Sequence, residues 1–224
     1  ARVLRVKTDV PMILTYHTKF DIDIRRALPT KLMQDQAIKM LISNISCADE
    51  VWTVSEGARQ NLIDLGYEEN EHHRIRIMEN GVDFPRGRAD PEDAAELRAE
   101  LGVEGHGPVF IFVGRLLWYK GIRHILDSLK ILNEKNIDFR MMFVGDGADR
   151  AEIEAYVDEL KLREKVIFTG AIYDREELRV YYTAGDLFIF PSLYDTNGIV
   201  VREAAACGVA SVMIKGSCAA EGIT

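Results

Sequence analysis

Three short stretches, each where an apolar run gives way to glycine, hold residue types suited to charged or hydroxylated ligands. The first is Val113-Gly114-Arg115-Leu116-Leu117-Trp118-Tyr119-Lys120-Gly121. Glycine lets backbone approach a ligand closely, Arg115 offers a planar fork of donors, and Lys120 offers a compact point charge. Such a pair suits a diphosphate. From Val109 through Leu126 there is no Asp or Glu, although the chain carries a net charge of −8. Two solvated surface cations would leave the same letters, and spacing alone does not separate the readings. The second stretch is Gly145-Asp146-Gly147-Ala148-Asp149-Arg150. It invites comparison with the dinucleotide fingerprint G-x-G-x-x-G, but Arg150 stands where the third glycine belongs, and a tight turn accounts for the glycine pair. The third runs from Pro191 to Glu203 through Asp195-Thr196-Asn197-Gly198-Ile199. Gly198 sits where a helix should begin, so exposed N–H groups there can bind an anion. Glu203 lies in an apolar setting, between Val200-Val201 and Ala204-Ala205-Ala206. Its carboxylate needs a partner, and sugar or ribose hydroxyls would serve as well as Arg202 or Arg179.

These stretches are placed by the elements around them. Apolar runs at Val109–Val113, 139–144, 166–168, Leu187–Phe190 and 209–214 read as buried strands. Between them lie helical patterns at 122–132, 148–160, 174–184 and 198–207, with Asp174-Arg175-Glu176-Glu177 as a capping box. Apolar strands alternating with helices predict an α/β fold with a doubly wound parallel sheet, whose ligands bind beyond the carboxyl ends of the strands. Upstream, 10–16, 50–54 and 74–78 read as strands, 29–46 and 55–65 as helices, and Gly66 as a helix stop. Residues 79–91, rich in Gly, Pro, Asp and Arg, read as a linker, after which Asp90 caps and Pro91 opens a helix to Leu101.

Composition narrows the classes. The chain has 224 residues, 47% hydrophobic and 29% charged, which predicts a folded core rather than disorder. Without any apolar run of about 18 residues it is not an integral membrane protein of the helical kind. The opening residues Ala1 to Arg5 lack the apolar core of a secretory signal. Cys47, Cys207 and Cys218 cannot all pair and form no Cys-x-x-Cys, which points to a reduced cytosol without structural zinc and makes the sequon at Asn44 incidental. His72 and His73 are adjacent, so their side chains diverge, and no metal cluster is expected. An acidic balance argues against nucleic acid as partner. Residues 1–40, however, hold eight Lys/Arg against four Asp/Glu, an excess that suits either peripheral contact with an anionic membrane surface or a plain solvated face.

Taken together and in order, the motifs resemble those of family 4 of the retaining, nucleotide-sugar-dependent glycosyltransferases, the glycosyl transferases group 1, which have the GT-B fold. The matching stretches are Gly114-Arg115 with Lys120-Gly121, Gly145-Asp146-Gly147 with Arg150, Phe168-Thr169-Gly170, Ala184-Gly185-Asp186 through Pro191-Ser192, and Asp195 with Gly198, Glu203-Ala204 and Cys207-Gly208. Tyr16-His17, Ala48-Asp49 through Ser55, and Asn80-Gly81-Val82-Asp83 resemble the upstream part of the same family.

The resemblance implies two Rossmann-like domains facing a cleft, both incomplete here. Residues 1–83 would be the later part of the acceptor-side domain plus linker, and 84–224 the donor-binding domain without its last elements. It also implies roles. Arg115 and Lys120 would grip the donor diphosphate, helped by the amides of Gly198 and Ile199, and Gly114, Thr196 and Asn197 would belong to the same donor-binding set. Glu203 would bind the ribose, and Gly170, Ala171 and Ile172 the nucleobase through backbone groups. Asp195, one methylene shorter than the family's usual Glu, and His17 would reach the transferred sugar. No metal or other cofactor is implied, only a nucleotide-diphosphate sugar, UDP- or GDP-linked, as donor substrate. The acceptor would be a glycolipid, a polysaccharide or another sugar. Competing readings are another GT-B enzyme (a phosphorylase or nucleotide-sugar epimerase), a non-catalytic accessory subunit, and, for want of the third glycine least of all, a dehydrogenase.

Overall fold

The computed structural model describes residues 10–71 and 73–223. Expectations resting on the first nine residues and on His72 lie outside the described residues. The chain divides into two compact units. The first takes in the chain up to Gly81, the loop Tyr194–Asn197 and the stretch from Gly216 on; the second comprises Val82–Leu193 and Gly198–Lys215. Two segments downstream of the linker therefore pack with the upstream unit.

In the first unit, β1 (Ile13–Tyr16), β2 (Glu50–Thr53) and β3 (Arg74–Ile77) pair in parallel in that order. Helices α1 (Phe20–Ala27), α2 (Lys31–Ile45) and α3 (Glu56–Asp64) complete it. Tyr16, Ile38, Ile42, Val51, Leu62 and Tyr67 are among the core side chains. The first strand is shorter than the 10–16 reading. Helix α3 is capped by Ser55 and ends in a Schellman motif: Gly66 N–H donates to Ile63 and Tyr67 N–H to Leu62. Gly66, at φ +102, takes the left-handed conformation the sequence assigns it. Helix α1 has no counterpart in the sequence reading, and no residue of it is buried.

The second unit starts with α4 (Pro91–Glu100), capped by Asp90 as expected. Strands β4 (Val109–Val113), β5 (Arg140–Val144), β6 (Val166–Gly170), β7 (Leu187–Phe190) and β8 (Ser211–Met213) form one parallel sheet in the order β6-β5-β4-β7-β8. Helices α5 (Ile122–Glu134), α6 (Arg150–Glu159), α7 (Arg175–Ala184) and α8 (Ile199–Ala206) connect them. The chain winds outward from β4 to β6, then crosses to β7 on the other side of β4. That reversal is the topological switch point, where an open α/β sheet leaves a crevice beyond its carboxyl ends.

Two devices shape the sheet, one at each end of its strands. Asp186 accepts from Val109 N–H (2.8 Å) and Arg98 (2.7 Å), tying the start of β4 to α4, while Gly185 leaves room for Ile111. Near the carboxyl ends, Phe168, Phe143, Phe112 and Phe190 form a continuous row across β6, β5, β4 and β7, with centroids 5.3, 5.7 and 5.9 Å apart. Each such pair adds about 0.5–1.5 kcal/mol beyond simple burial, which stiffens the sheet close to its carboxyl ends.

Candidate functional site: a crevice at the carboxyl ends of β4, β5 and β6

Beyond the carboxyl ends of β4, β5 and β6 lies a cavity of about 290 Å³, with Val113 and Val144 among its lining residues. Its walls are the loop after β4 (Gly114, Arg115), the loop after β5 (Gly145, Asp146) and the loop after β6 (Ala171, Ile172, Tyr173), with Leu178 of α7 behind. Gly114, Arg115, Ala171 and Ile172, named from the sequence as ligand contacts, thus line one cavity. Arg115 is exposed, and its guanidinium donates to the Tyr119 hydroxyl at 3.1 Å. Gly170, at φ +82, turns the chain from β6 into the cavity wall. Asp146 and Tyr173 are lining residues the sequence reading passed over. Tyr173 is 92% exposed at the rim, a position no apolar pattern marks.

Lys120 ends a 3₁₀ turn, Trp118–Lys120. Its ammonium stands 5.8 Å from the ring centroid of Phe190, which puts it over the end of β7 at the switch point. Gly121 makes this approach feasible. Its φ is +82, and a Cβ there would collide with the Pro191 carbonyl oxygen. Both cations of the first motif therefore lie at the carboxyl ends of the strands, Arg115 on the cavity wall and Lys120 over the end of β7.

The second motif supports the first. Gly114 N–H donates to Val144, Leu116 N–H to Asp146, and Gly145 N–H to Gly170, at 3.0, 3.0 and 2.7 Å. A Cβ on Gly145 would strike the Gly114 carbonyl, and one on Gly147 the Leu116 backbone. The glycine pair makes a close crossing of two loops, so the tight-turn reading gains a long-range cause.

In the third motif Gly198, at φ +64, opens α8 with no side-chain cap, leaving the first-turn N–H groups of the helix without a capping side chain. Glu203 is half-buried on α8, and its partner is neither Arg202 nor Arg179 but the buried Tyr182, whose hydroxyl lies 2.9 Å from the carboxylate and 3.1 Å from the Val200 carbonyl. Burial pushes the Glu203 carboxyl above the ordinary carboxylate range, against the Tyr182 hydrogen bond and the nearby Arg175 charge, which favour ionisation. The Tyr182 hydroxyl, itself desolvated beside this acid, is held well above its usual range and stays a donor. Tyr182 was legible only as one of the apolar positions of α7.

His17, Asp195, Thr196 and Asn197 belong to the first unit. His17 is exposed just after β1, and its carbonyl accepts from the Thr196 hydroxyl at 2.8 Å. Asn197 is buried and donates to the Val54 carbonyl at 2.9 Å. The structure thus brings His17 together with the loop that carries Asp195. Among the described residues there is no group of three His, Cys, Asp or Glu able to hold a metal ion, and no helix is long and apolar enough to cross a membrane.

Known proteins share this architecture. The sucrose-phosphate synthase of Thermosynechococcus elongatus superposes with a TM-score of 0.73 at 25% identity, over 95% of this chain and 52% of that one. Anabaena HepE, solved in complex with UDP and glucose, gives 0.76 at 22% identity over 94% and 54%. The fold is GT-B. Among curated relatives, 2-deoxystreptamine glucosyltransferase of Streptomyces kanamyceticus is 35% identical over 64% of the chain and 38% of its own length. The alpha-monoglucosyldiacylglycerol synthase of Streptococcus pneumoniae is 26% identical over 89% and 45%. The chain therefore spans less than half the length of these two relatives. The pattern described as glycosyl transferases group 1 matches residues 93–224. With more than half of its length so matched, the chain belongs to the glycosyl transferases group 1 family.

Proposed function

We propose that this chain is the donor-binding part of a retaining glycosyltransferase that moves a sugar from a nucleoside-diphosphate sugar to an acceptor hydroxyl without a metal ion. The observation that carries the reading is the cavity at the carboxyl ends of β4, β5 and β6, with Gly114 and Arg115 on one wall and Ala171 and Ile172 on another. Arg115 and Lys120 would neutralise the diphosphate as the bond from sugar C1 to its oxygen breaks. The uncapped start of α8 would add N–H donors. Preorganised donors of this kind, aimed at developing charge, are worth about 10²–10³ in rate each. Glu203, oriented by Tyr182, would accept the ribose hydroxyls, and the backbone at 170–172 would meet the base. Asp195 and His17 would act on the transferred sugar. The acceptor oxygen then bonds C1 on the face the diphosphate leaves, and its proton passes to the departing phosphate oxygen. HepE binds UDP and glucose, which makes UDP-glucose the first donor to try. A lipid acceptor that becomes a glycolipid is in keeping with the name of the S. pneumoniae synthase. Exposed Leu32, Met33 and Met40 on α2, beside Lys31 and Lys39, favour contact with an anionic membrane surface.

The test is sugar transfer by the full-length protein, wild type against Arg115→Ala and Lys120→Ala. Each variant is expected to lose at least tenfold in turnover. Wild-type turnover in both would end the diphosphate assignment.

A further inference from the structure

We propose that Asp149 and Arg123 are positioning residues, which hold the Trp118–Lys120 turn rigid so that Lys120 and Arg115 are preorganised for a donor's diphosphate. The inference rests on the diphosphate reading above and adds to it what aims the cations.

Asp149 stands immediately before α6, where an Asp side chain ordinarily accepts from the first turn of its own helix. It makes no such bond. Only 7% exposed, its carboxylate instead accepts from Trp118 N–H at 2.9 Å, and its own N–H donates to the Leu116 carbonyl at 3.3 Å. A carboxylate withdrawn from water must be satisfied by hydrogen bonds, and the loop amide of Trp118 is held in place by serving it. The Trp118 side chain is gripped as well. Its indole N–H donates to Glu152 at 3.0 Å. The Arg123 guanidinium lies 4.7 and 4.4 Å from the Trp118 and Tyr156 ring centroids, against a pair of rings that meet edge to face at 5.8 Å, a cation–π contact with both. Tyr156 is in turn anchored to Asp127 at 2.6 Å.

Residue 118 is thus held at its backbone, its indole nitrogen and its ring face, by groups from α5 and α6. Lys120 follows two residues later, and Gly121 wedges the far end of the turn against Pro191. Arg123 and Glu152 are exposed and add nothing to the buried core. What they do fix is the direction in which the turn presents its cation. A loop locked before binding does not have to be ordered at the ligand's expense.

The experiment is calorimetric binding of UDP, GDP and ADP, each compared with its own nucleoside, to wild type, Asp149→Leu, Asp149→Asn and Arg123→Leu. In wild type at least one diphosphate should bind 100-fold or more tighter than its nucleoside. Asp149→Leu should shrink that ratio at least tenfold while nucleoside affinity stays within twofold. Asp149→Asn, which keeps an oxygen acceptor for Trp118 N–H, should retain the ratio within about threefold. Arg123→Leu, an exposed change that leaves the buried carboxylate alone, should shrink the ratio at least threefold, and it decides the matter if Asp149→Leu does not fold. An unchanged ratio in the folded variants, or equal losses for diphosphate and nucleoside, would overturn the positioning role. A wild type with no preference for any diphosphate would instead overturn the diphosphate reading itself.

Discussion

Tyr182→Phe isolates the hydrogen bond on which Glu203 depends. The substitution keeps the ring, which is fully buried and packs edge-on against Phe84 and Phe188 with centroids 5.8 and 5.7 Å away. Only the hydroxyl is lost, 2.9 Å from the Glu203 carboxylate. A hydrogen bond to a charged group contributes about 1.5–3 kcal/mol. Glu203 is only half-buried, so water recovers part of this, and a loss of about 1–2 kcal/mol is expected at neutral pH. At about 2–4 °C per kcal/mol for a chain of this size, the melting transition should fall by about 2–8 °C.

The pH dependence carries a sign. Burial already raises the Glu203 carboxyl in the folded state, so its contribution to stability is fully present at low pH and is lost as pH rises through the folded value. Removing the Tyr182 donor takes away the first of the two influences that hold that value down, and raises it further. The deficit of the variant should therefore be largest at neutral pH and shrink towards about pH 4, where Glu203 is protonated in both proteins. Urea titrations of wild type, Tyr182→Phe, Glu203→Gln and the double variant across that range measure it, and the double-variant cycle isolates the pair. In the Glu203→Gln background the Tyr182→Phe cost should lose its pH dependence. A deficit equal at every pH, or none at neutral pH, would show that the hydroxyl does not serve the carboxylate.

Sugar transfer by the full-length protein is expected to survive EDTA. Activity abolished by the chelator and restored by a divalent ion would establish a metal requirement. Co-sedimentation with vesicles rich in phosphatidylglycerol, but not with phosphatidylcholine alone, is expected from the α2 face and should weaken with salt. Equal recovery with both vesicle types, or with neither, would remove the membrane contact.

Much of the second unit was readable from local pattern. Val109–Val113 and Leu187–Phe190 are continuous apolar runs because strands covered on both faces of a parallel sheet need no polar side. Asp90-Pro91 and Asp174 mark helix starts through their own side chains, and both cap as expected. Helix α1 escaped for a local reason too. Phe20, Ile22 and Ile24 alternate with Asp21 and Asp23 like a strand, which masks the i, i+4, i+7 stripe of Phe20, Ile24 and Ala27 in so short a helix.

What local pattern cannot carry is contact at long range. Thr196 meets His17 and Asn197 meets Val54 across 179 and 143 residues, and Glu221 accepts from Glu56 and Gly57 N–H across 165 and 164. These bonds seat segments from beyond residue 190 in the first unit. Gly147 looked like a turn residue, yet the reason it lacks a side chain is the Leu116 backbone beside it. The sequence pattern puts Asp149 inside the first turn of a helix at 148–160, whereas the helix starts at Arg150 and the fold turns Asp149 towards Trp118.

The amino-acid order by itself determined the strand–helix alternation, the helix caps, and the pair of cations in a stretch without acids, because periodicity, capping and local charge are properties of neighbours in the chain. Tertiary structure alone decided which loops share a cavity, that Glu203 answers to Tyr182, and that a buried carboxylate fixes the Lys120 turn. Those choices depend on which backbones cross at the end of the sheet, and parallel pairing brings together segments that no local signal connects.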